Sequence, residues 1–457
     1  MEQRKLTKAD IDKVRHIEGF PVAKDEDIIA LSRPPYYTAC PNPFIADFIA
    51  EHGTPYDEAT DDYHREPFAA DVSEGKNDPI YNAHSYHTKV PHKAIMRYIL
   101  HYTKPGDIVF DGFCGTGMTG VAAQMCGCPD AAFKVQIEAE MPGVEWGKRK
   151  AILSDLSPAA TFIAYTYNTP VDSAAFDDEA HQILAQCIAE YGWMYETYHV
   201  DQNGKSLHGI DDRPITGRIN YTVWSDVFVC PSCSHEIVFY NQAYNPTSDK
   251  VEDKFVCPHC ASSLRKTDCA NAMTTFFDHF SSTSKTVTKQ VPVLINYSIG
   301  TKKYVKTPDS HDLDIIERIS SLTPVYFAPT ERMPEGGESR RNDKYGLLYV
   351  NDFFTARNLF VLSALWAKSE KNLAIRAVIQ SISQTLCSKN VRYNMGHRGN
   401  GPLSGTLYIP SLVAESNVFK AFEGKLSSFL SMKSLIRGFS GAVINTGSSA
   451  SLSTIPD

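Results

Sequence analysis

No apolar run in the 457 residues approaches the ~20 that span a membrane, so no transmembrane helix is expected. Basic residues are not in excess. Lys and Arg number 45 against 53 Asp and Glu, a net charge of −8. This argues against a protein held to nucleic acid by bulk charge and leaves a local basic cleft open. The first residues, Met1 to Lys5, are charged and no apolar stretch follows them, so no secretory leader is expected and a cytoplasmic location is. No G-x-x-x-x-G-K-[ST] run occurs, so a P-loop for nucleoside triphosphates is not expected, and the glycine spacing reads as narrower than a G-x-G-x-x-G dinucleotide fingerprint. Cysteine occurs eleven times, yet unevenly. Four residues form two C-x-x-C pairs and the rest are scattered, which suits metal better than a disulfide framework.

What is present indicates a globular protein with a sizeable core. Hydrophobic residues make up 42% and aromatics 11%, at a length that accommodates two or three domains. The stretch from Gly106 to Gly120 organises the reading. Ile108, Val109 and Phe110 predict a short buried strand that ends at Asp111; a glycine-rich turn follows, and a helix begins at Thr119. Strand, glycine turn and helix open a Rossmann-like unit, in which glycines let the backbone approach a ligand and the helix N-terminus offers N–H groups. A second strand, Ala151 to Ser154, ends at another acid, Asp155. Upstream, a loop through His87, Lys89 and Pro91 leads into an amphipathic helix with Ile95, Tyr98, Ile99 and Tyr102 on one face. Thr7 and Asp10 have capping-box spacing. The prolines from Pro34 to Pro43 predict a rigid extended loop, residues 51–80 a polar surface loop, and residues 175–198 a long helix with Cys187 as a packed thiol.

The segment from about 200 changes character. Strand-like Tyr221 to Val229 runs into Cys230 and Cys233; Cys257 and Cys260 follow after a hairpin-sized interval. Two such knuckles predict a zinc ribbon. Four thiolates close a tetrahedron around Zn2+, leaving no open position, so the metal is structural. His259 lies inside a knuckle and is not expected to be a ligand. Residues 331–345 read as a solvated glycine-rich loop. Residues 391–401 mix Arg392, Tyr393, His397 and Arg398 with glycines, which suits phosphate and base contacts.

Asp111, Phe113, Gly115 and Gly117, in the pattern D-x-F-x-G-x-G, resemble motif I of S-adenosylmethionine-dependent DNA amino-methyltransferases of the N6-adenine/N4-cytosine type. The resemblance implies that this loop, with Thr119, holds the methionine end of S-adenosyl-L-methionine and that Asp155 holds the ribose hydroxyls. His87, Lys89 and Pro91 resemble that family's H-P-x-x-K-P stretch, which lines the same pocket. Phe354, Thr355, Arg357, Asn358 and Leu359 resemble a stretch found downstream of the zinc segment in one branch of these enzymes. The implied substrate is DNA, in a restriction-modification setting, and the implied reaction is methyl transfer to an exocyclic amine of an extruded base.

The expected fold class is therefore α/β: a Rossmann-like, doubly wound methyltransferase sheet with an inserted β-rich zinc-ribbon domain. Expected boundaries are 1–80 for an N-terminal helix and proline-rich loop region, 81–199 for the cofactor-binding core, 200–330 for the insertion (ribbon at about 225–265), and 331–457 for a helical continuation of the methyltransferase domain. The family's catalytic loop is [D/N/S]-P-P-[Y/F/W]. The one approximation is Ser32, Pro34, Pro35 and Tyr36, with Arg33 where a hydrogen-bond acceptor belongs. No Pro-Pro-aromatic follows motif I. The expectation is that a partner chain or a further segment completes the active site. Two alternatives stay open: a zinc-ribbon nucleic-acid-binding subunit on a methyltransferase scaffold, and an RNA methyltransferase.

Overall fold

The structure, a computed structural model, describes residues 4–445 except 33, 35–36, 38, 54–56, 87–88, 249, 388–390, 393–400, 403–406 and 437. Contacts group the chain into two units: residues 1–75, 89–169 and 439–457, and residues 76–88 and 170–438. The last residues join the glycine-loop segment, and residues 170–199 join the zinc-knuckle segment.

In the first unit, β1 (Ile108–Asp111), β2 (Lys150–Ser154) and β3 (Val443–Asn445) form a parallel sheet in the order β1-β2-β3. Val109 lies opposite Ala151, and Ile152 opposite Val443. Parallel neighbours require a crossover, and between β1 and β2 the chain runs through helices Met118–Met125 and Ala131–Glu140. Three helices carry most of the packing: α1 (His92–Tyr102), α2 (Met118–Met125) and α3 (Pro158–Asn168). Two buried amides tie α2 to α3. Asn168 Nδ2 donates to Gly117 O (3.0 Å), and its Oδ1 accepts from Gln124 Nε2 (3.2 Å). Gln124 Oε1 in turn accepts the N–H groups of Ser440 and Gly441, just before β3.

The helix α1 buries more than the predicted face. Met96, Ile99 and Leu100 are buried, whereas Tyr98 and Tyr102 use their hydroxyls to accept the N–H groups of Ala70 and Phe68. Phe68 stacks on His101 at 4.9 Å. The polar stretch before α1 is thus strapped along the helix. Arg97, 8% exposed, ties it further through Glu74 and Glu140.

The second unit is built on the 14-residue strand Thr216–Val229. It pairs antiparallel with Gln290–Ile299 and Leu412–Ser416, and its far end pairs with Glu236–Val238 and Ala270–Asn271. The knuckle segment therefore grows out of the large sheet. Helices Ser173–Tyr191, Ala356–Lys368, Leu373–Leu386 and Val418–Leu435 pack on one another. Each is N-capped by a side-chain oxygen, from Asp172, Thr355, Asn372 and Asn417, the residue types that satisfy otherwise orphaned helix N–H groups. Cys187 is buried on its helix, and burial pushes its thiol up to about 12. Among the described residues no helix is long and apolar enough to cross a membrane.

Candidate cofactor site and metal centre

The glycine turn begins where β1 ends. Asp111 turns the chain: its Oδ1 accepts the N–H of Phe113 (3.1 Å) and its Oδ2 the hydroxyl of Thr119 (2.6 Å), in the first turn of α2. The turn is then fastened to β2. Ser154 O accepts the N–H of Cys114 (2.9 Å), and Asp155 Oδ2 accepts the N–H of Gly115 (2.9 Å) while its Oδ1 accepts that of Ser157 (2.8 Å). Asp111, Phe113, Gly115, Thr119 and Asp155 thus meet at the C-terminal ends of two parallel strands, where open α/β sheets bind ligands. Each carboxylate has acceptor capacity left.

The two turn glycines face different surroundings. Gly115 has φ +51°, and a Cβ added there would meet nothing within 4 Å. Gly117 has φ +72°, and a Cβ would lie 2.7 Å from Ala164 Cβ on α3. Gly120 was not singled out from the sequence. Its Cβ would come within 2.8 Å of Leu153 Cδ1 and 2.4 Å of Asn168 Oδ1. The signal was present: Gly115, Gly117 and Gly120 stand at G-x-G-x-x-G spacing, whose third glycine permits close helix–strand packing. The side of Gly115 is open, as a ligand cradle requires. Cys114 is buried beside Asp111 and Asp155, and burial followed by these two charges pushes its thiol up to about 12, so it is not a nucleophile at neutral pH. Phe113 is 84% exposed.

Pro91 is buried and N-caps α1, and Lys89 is half-buried just before it; His87 lies outside the described residues. Ser32 is 3% exposed at the C-terminal end of helix Asp25–Leu31, beside a small cluster that includes Ile28, Tyr37 and Cys40. Pro34 is half-buried, and Pro35 and Tyr36 lie outside the described residues, as do residues 393–400 of the Arg392–Arg398 loop.

In the second unit, the sulfurs of Cys230, Cys233, Cys257 and Cys260 all lie within 4.8 Å of one another. Cys230–Cys260 and Cys233–Cys257 are each 3.7 Å apart, close to the ~3.8 Å edge of a tetrahedron with Zn–S bonds of about 2.3 Å. The knuckles repeat one geometry. Ser234 and Ala261, each just after a second cysteine, have φ near +60° and return their N–H groups to Cys230 O and Cys257 O. Two non-glycine residues in this costly region at equivalent places mark a strained loop that four metal bonds would hold. His235 and His259 stack at 4.1 Å and belong to no ligand group. Phe228, Ile237, Phe239, Phe255 and Leu264 form the local core. Phe239 begins a short helix, Phe239–Ala243.

Residues 41–128 match the DNA methylase family. The matched segment contains α1, β1, the glycine turn and α2. The chain thus resembles the N6-adenine/N4-cytosine DNA methyltransferases over these residues. No curated protein and no solved structure matches the chain.

Proposed function

We propose that the chain is the S-adenosylmethionine-binding part of a DNA amino-methyltransferase that carries a structural zinc ribbon. The observation that carries this reading is the fastening of Gly115, inside the segment that matches the DNA methylases, to Asp155, which follows β2 beyond that segment. In this reading the backbone at Gly115 passes close to the methionine moiety, the N-terminal turn of α2 faces its carboxylate, and Asp155 accepts the ribose hydroxyls. The bound cofactor would supply an electrophilic methyl group, and Cys230, Cys233, Cys257 and Cys260 would hold a structural zinc with no open coordination position.

Transfer to an exocyclic amine needs acceptors that localise the amine lone pair as attack begins. Ser32 is enclosed, so we assign that task to a loop supplied from elsewhere. Among the described residues no strand pairs with the second edge of β1, and Ile108 and Phe110 are 62% and 53% exposed. Strands of parallel sheets are normally covered on both faces, and in a doubly wound sheet the first strand has neighbours on both sides. A parallel strand followed by an acceptor-Pro-Pro-aromatic loop fits this edge.

Calorimetry tests the cofactor site. S-adenosylmethionine should bind the wild type, Asp155→Ala should weaken it by about 10–100-fold through loss of charge-assisted hydrogen bonds, and a nicotinamide dinucleotide should not compete. Wild-type affinity in Asp155→Ala would remove the assignment. Robust DNA methylation by this chain alone would remove the supplied loop.

A further inference from the structure

The stretch Phe354 to Leu359 has no part in the cofactor site, yet it lines an apolar cavity of the second unit. This cavity, of about 290 Å3, lies among the hairpin Met273–Asp278/Thr283–Thr288, helix Ser310–Ser320, the first turn of helix Ala356–Lys368, and the strand residues Trp224 and Glu415. The rings of Trp224, Phe276, Phe280 and Phe354 supply flat apolar walls.

Its polar groups are buried and fixed. Glu415, 1% exposed, accepts from Trp224 Nε1 (2.9 Å), Arg357 Nη1 (3.0 Å) and the Thr355 hydroxyl. Arg357, 4% exposed, also reaches Thr222 Oγ1 and lies over the Tyr195 ring. Its Nε has no partner among the described residues. Lys285 is held between Asp278 and Asp352, all three nearly enclosed. A buried guanidinium donor left unpaired carries a desolvation penalty, and such a group calls for a ligand to explain it. Three carboxylates against two cations leave the site one negative charge, so it rejects an anion.

These features select a neutral, planar ligand that offers acceptors to Arg357 and donors to a carboxylate. Among nucleobases guanine combines both: O6 and N7 accept from arginine, the commonest specific base contact, while N1–H and the N2 amine donate. A phosphate attached to such a base would have to stay in solvent. We infer that this cavity is a binding pocket for guanine, either extruded from DNA or as a free nucleoside. The choice of a nucleobase rests on the DNA methylase resemblance; the pocket itself does not.

The test uses the full chain without S-adenosylmethionine, so failure here is separable from failure of the cofactor site. Guanosine, adenosine, cytidine and thymidine are titrated by calorimetry. A duplex with a single guanine bulge and its fully paired counterpart are then used as competitors. Guanosine should bind at least about tenfold more tightly than thymidine. Ala356→Trp, at an exposed position on the rim, should fill the cavity and abolish binding with the fold intact. Arg357→Lys keeps the charge beside Glu415 but removes Nε and should weaken guanosine by about tenfold or more. Displacement by the bulged duplex alone identifies DNA as the source; failure of both duplexes, with guanosine still bound, identifies the nucleoside. No guanosine binding up to about 10 mM, equal affinity for the four nucleosides, or unchanged binding by Ala356→Trp would overturn the inference.

Discussion

Gly115 and Gly117 are two residues apart, both with positive φ, yet alanine should affect them through different physics. At Gly115 the added methyl meets open space. The stability loss is then the left-handed backbone penalty alone, about 1–2 kcal/mol. At Gly117 the same penalty applies, and the methyl also lands 2.7 Å from Ala164 Cβ, 3.0 Å from Ala164 Cα and 2.8 Å from Asn168 Nδ2. Ala164 lies in the middle of α3 and cannot yield without moving that helix. Overpacking adds about 1–3 kcal/mol, for a total of about 2–5 kcal/mol. The Asn168–Gly117 hydrogen bond is strained with it. Native-state hydrogen exchange of β2 and α3 reads this locally: Gly117→Ala should lower protection there by the larger amount and Gly115→Ala by the smaller. Cofactor calorimetry should show the reverse order, with Gly115→Ala losing affinity in a protein that remains folded. Equal loss of protection in both variants, or wild-type cofactor affinity in Gly115→Ala, would refute the division of roles.

Metal analysis should find one zinc per chain, and Cys257→Ser should lose it and unfold the cluster around Phe239 and Phe255, because metal binding energy in such sites is folding energy; a well-folded, metal-free chain would contradict this. Lys433, 1% exposed, has its ammonium pushed down by burial from the ordinary 10.5 to about 8. The unfolded state therefore binds more protons between pH 8 and 10.5, and stability should rise with pH across that window. Lys433→Met should flatten the rise and raise the unfolding free energy at pH 7, read by urea titration, by about 1–3 kcal/mol; an unchanged pH profile would argue against a buried cation.

The cradle was legible because its information is local. β1, the glycine turn, α2 and the acid after β2 each announce themselves within a few residues, as do the two knuckles. The departures have long-range causes. The tyrosines of α1 looked like a buried face, but Phe68 and Ala70, from a polar stretch some 30 residues earlier, capture their hydroxyls instead. Gly120 was visible as spacing, yet its role depends on Leu153 and Asn168. Ser32 sat in a motif-like string, and only the packing of the N-terminal helices reveals it as enclosed. The Arg357–Glu415 pair joins residues 58 apart in sequence, so no periodicity could have exposed the cavity it lines.

The central claim is that S-adenosylmethionine lies against the turn between β1 and α2. Photocrosslinking with methyl-labelled S-adenosylmethionine, followed by peptide mapping, tests it most directly. The account expects the label within residues 108–125, with competition by unlabelled cofactor and loss in Gly115→Val, where the bulkier side chain fills the open side of the turn. Competable label confined to residues 170–438, or label within 108–125 that Gly115→Val leaves intact, would contradict it.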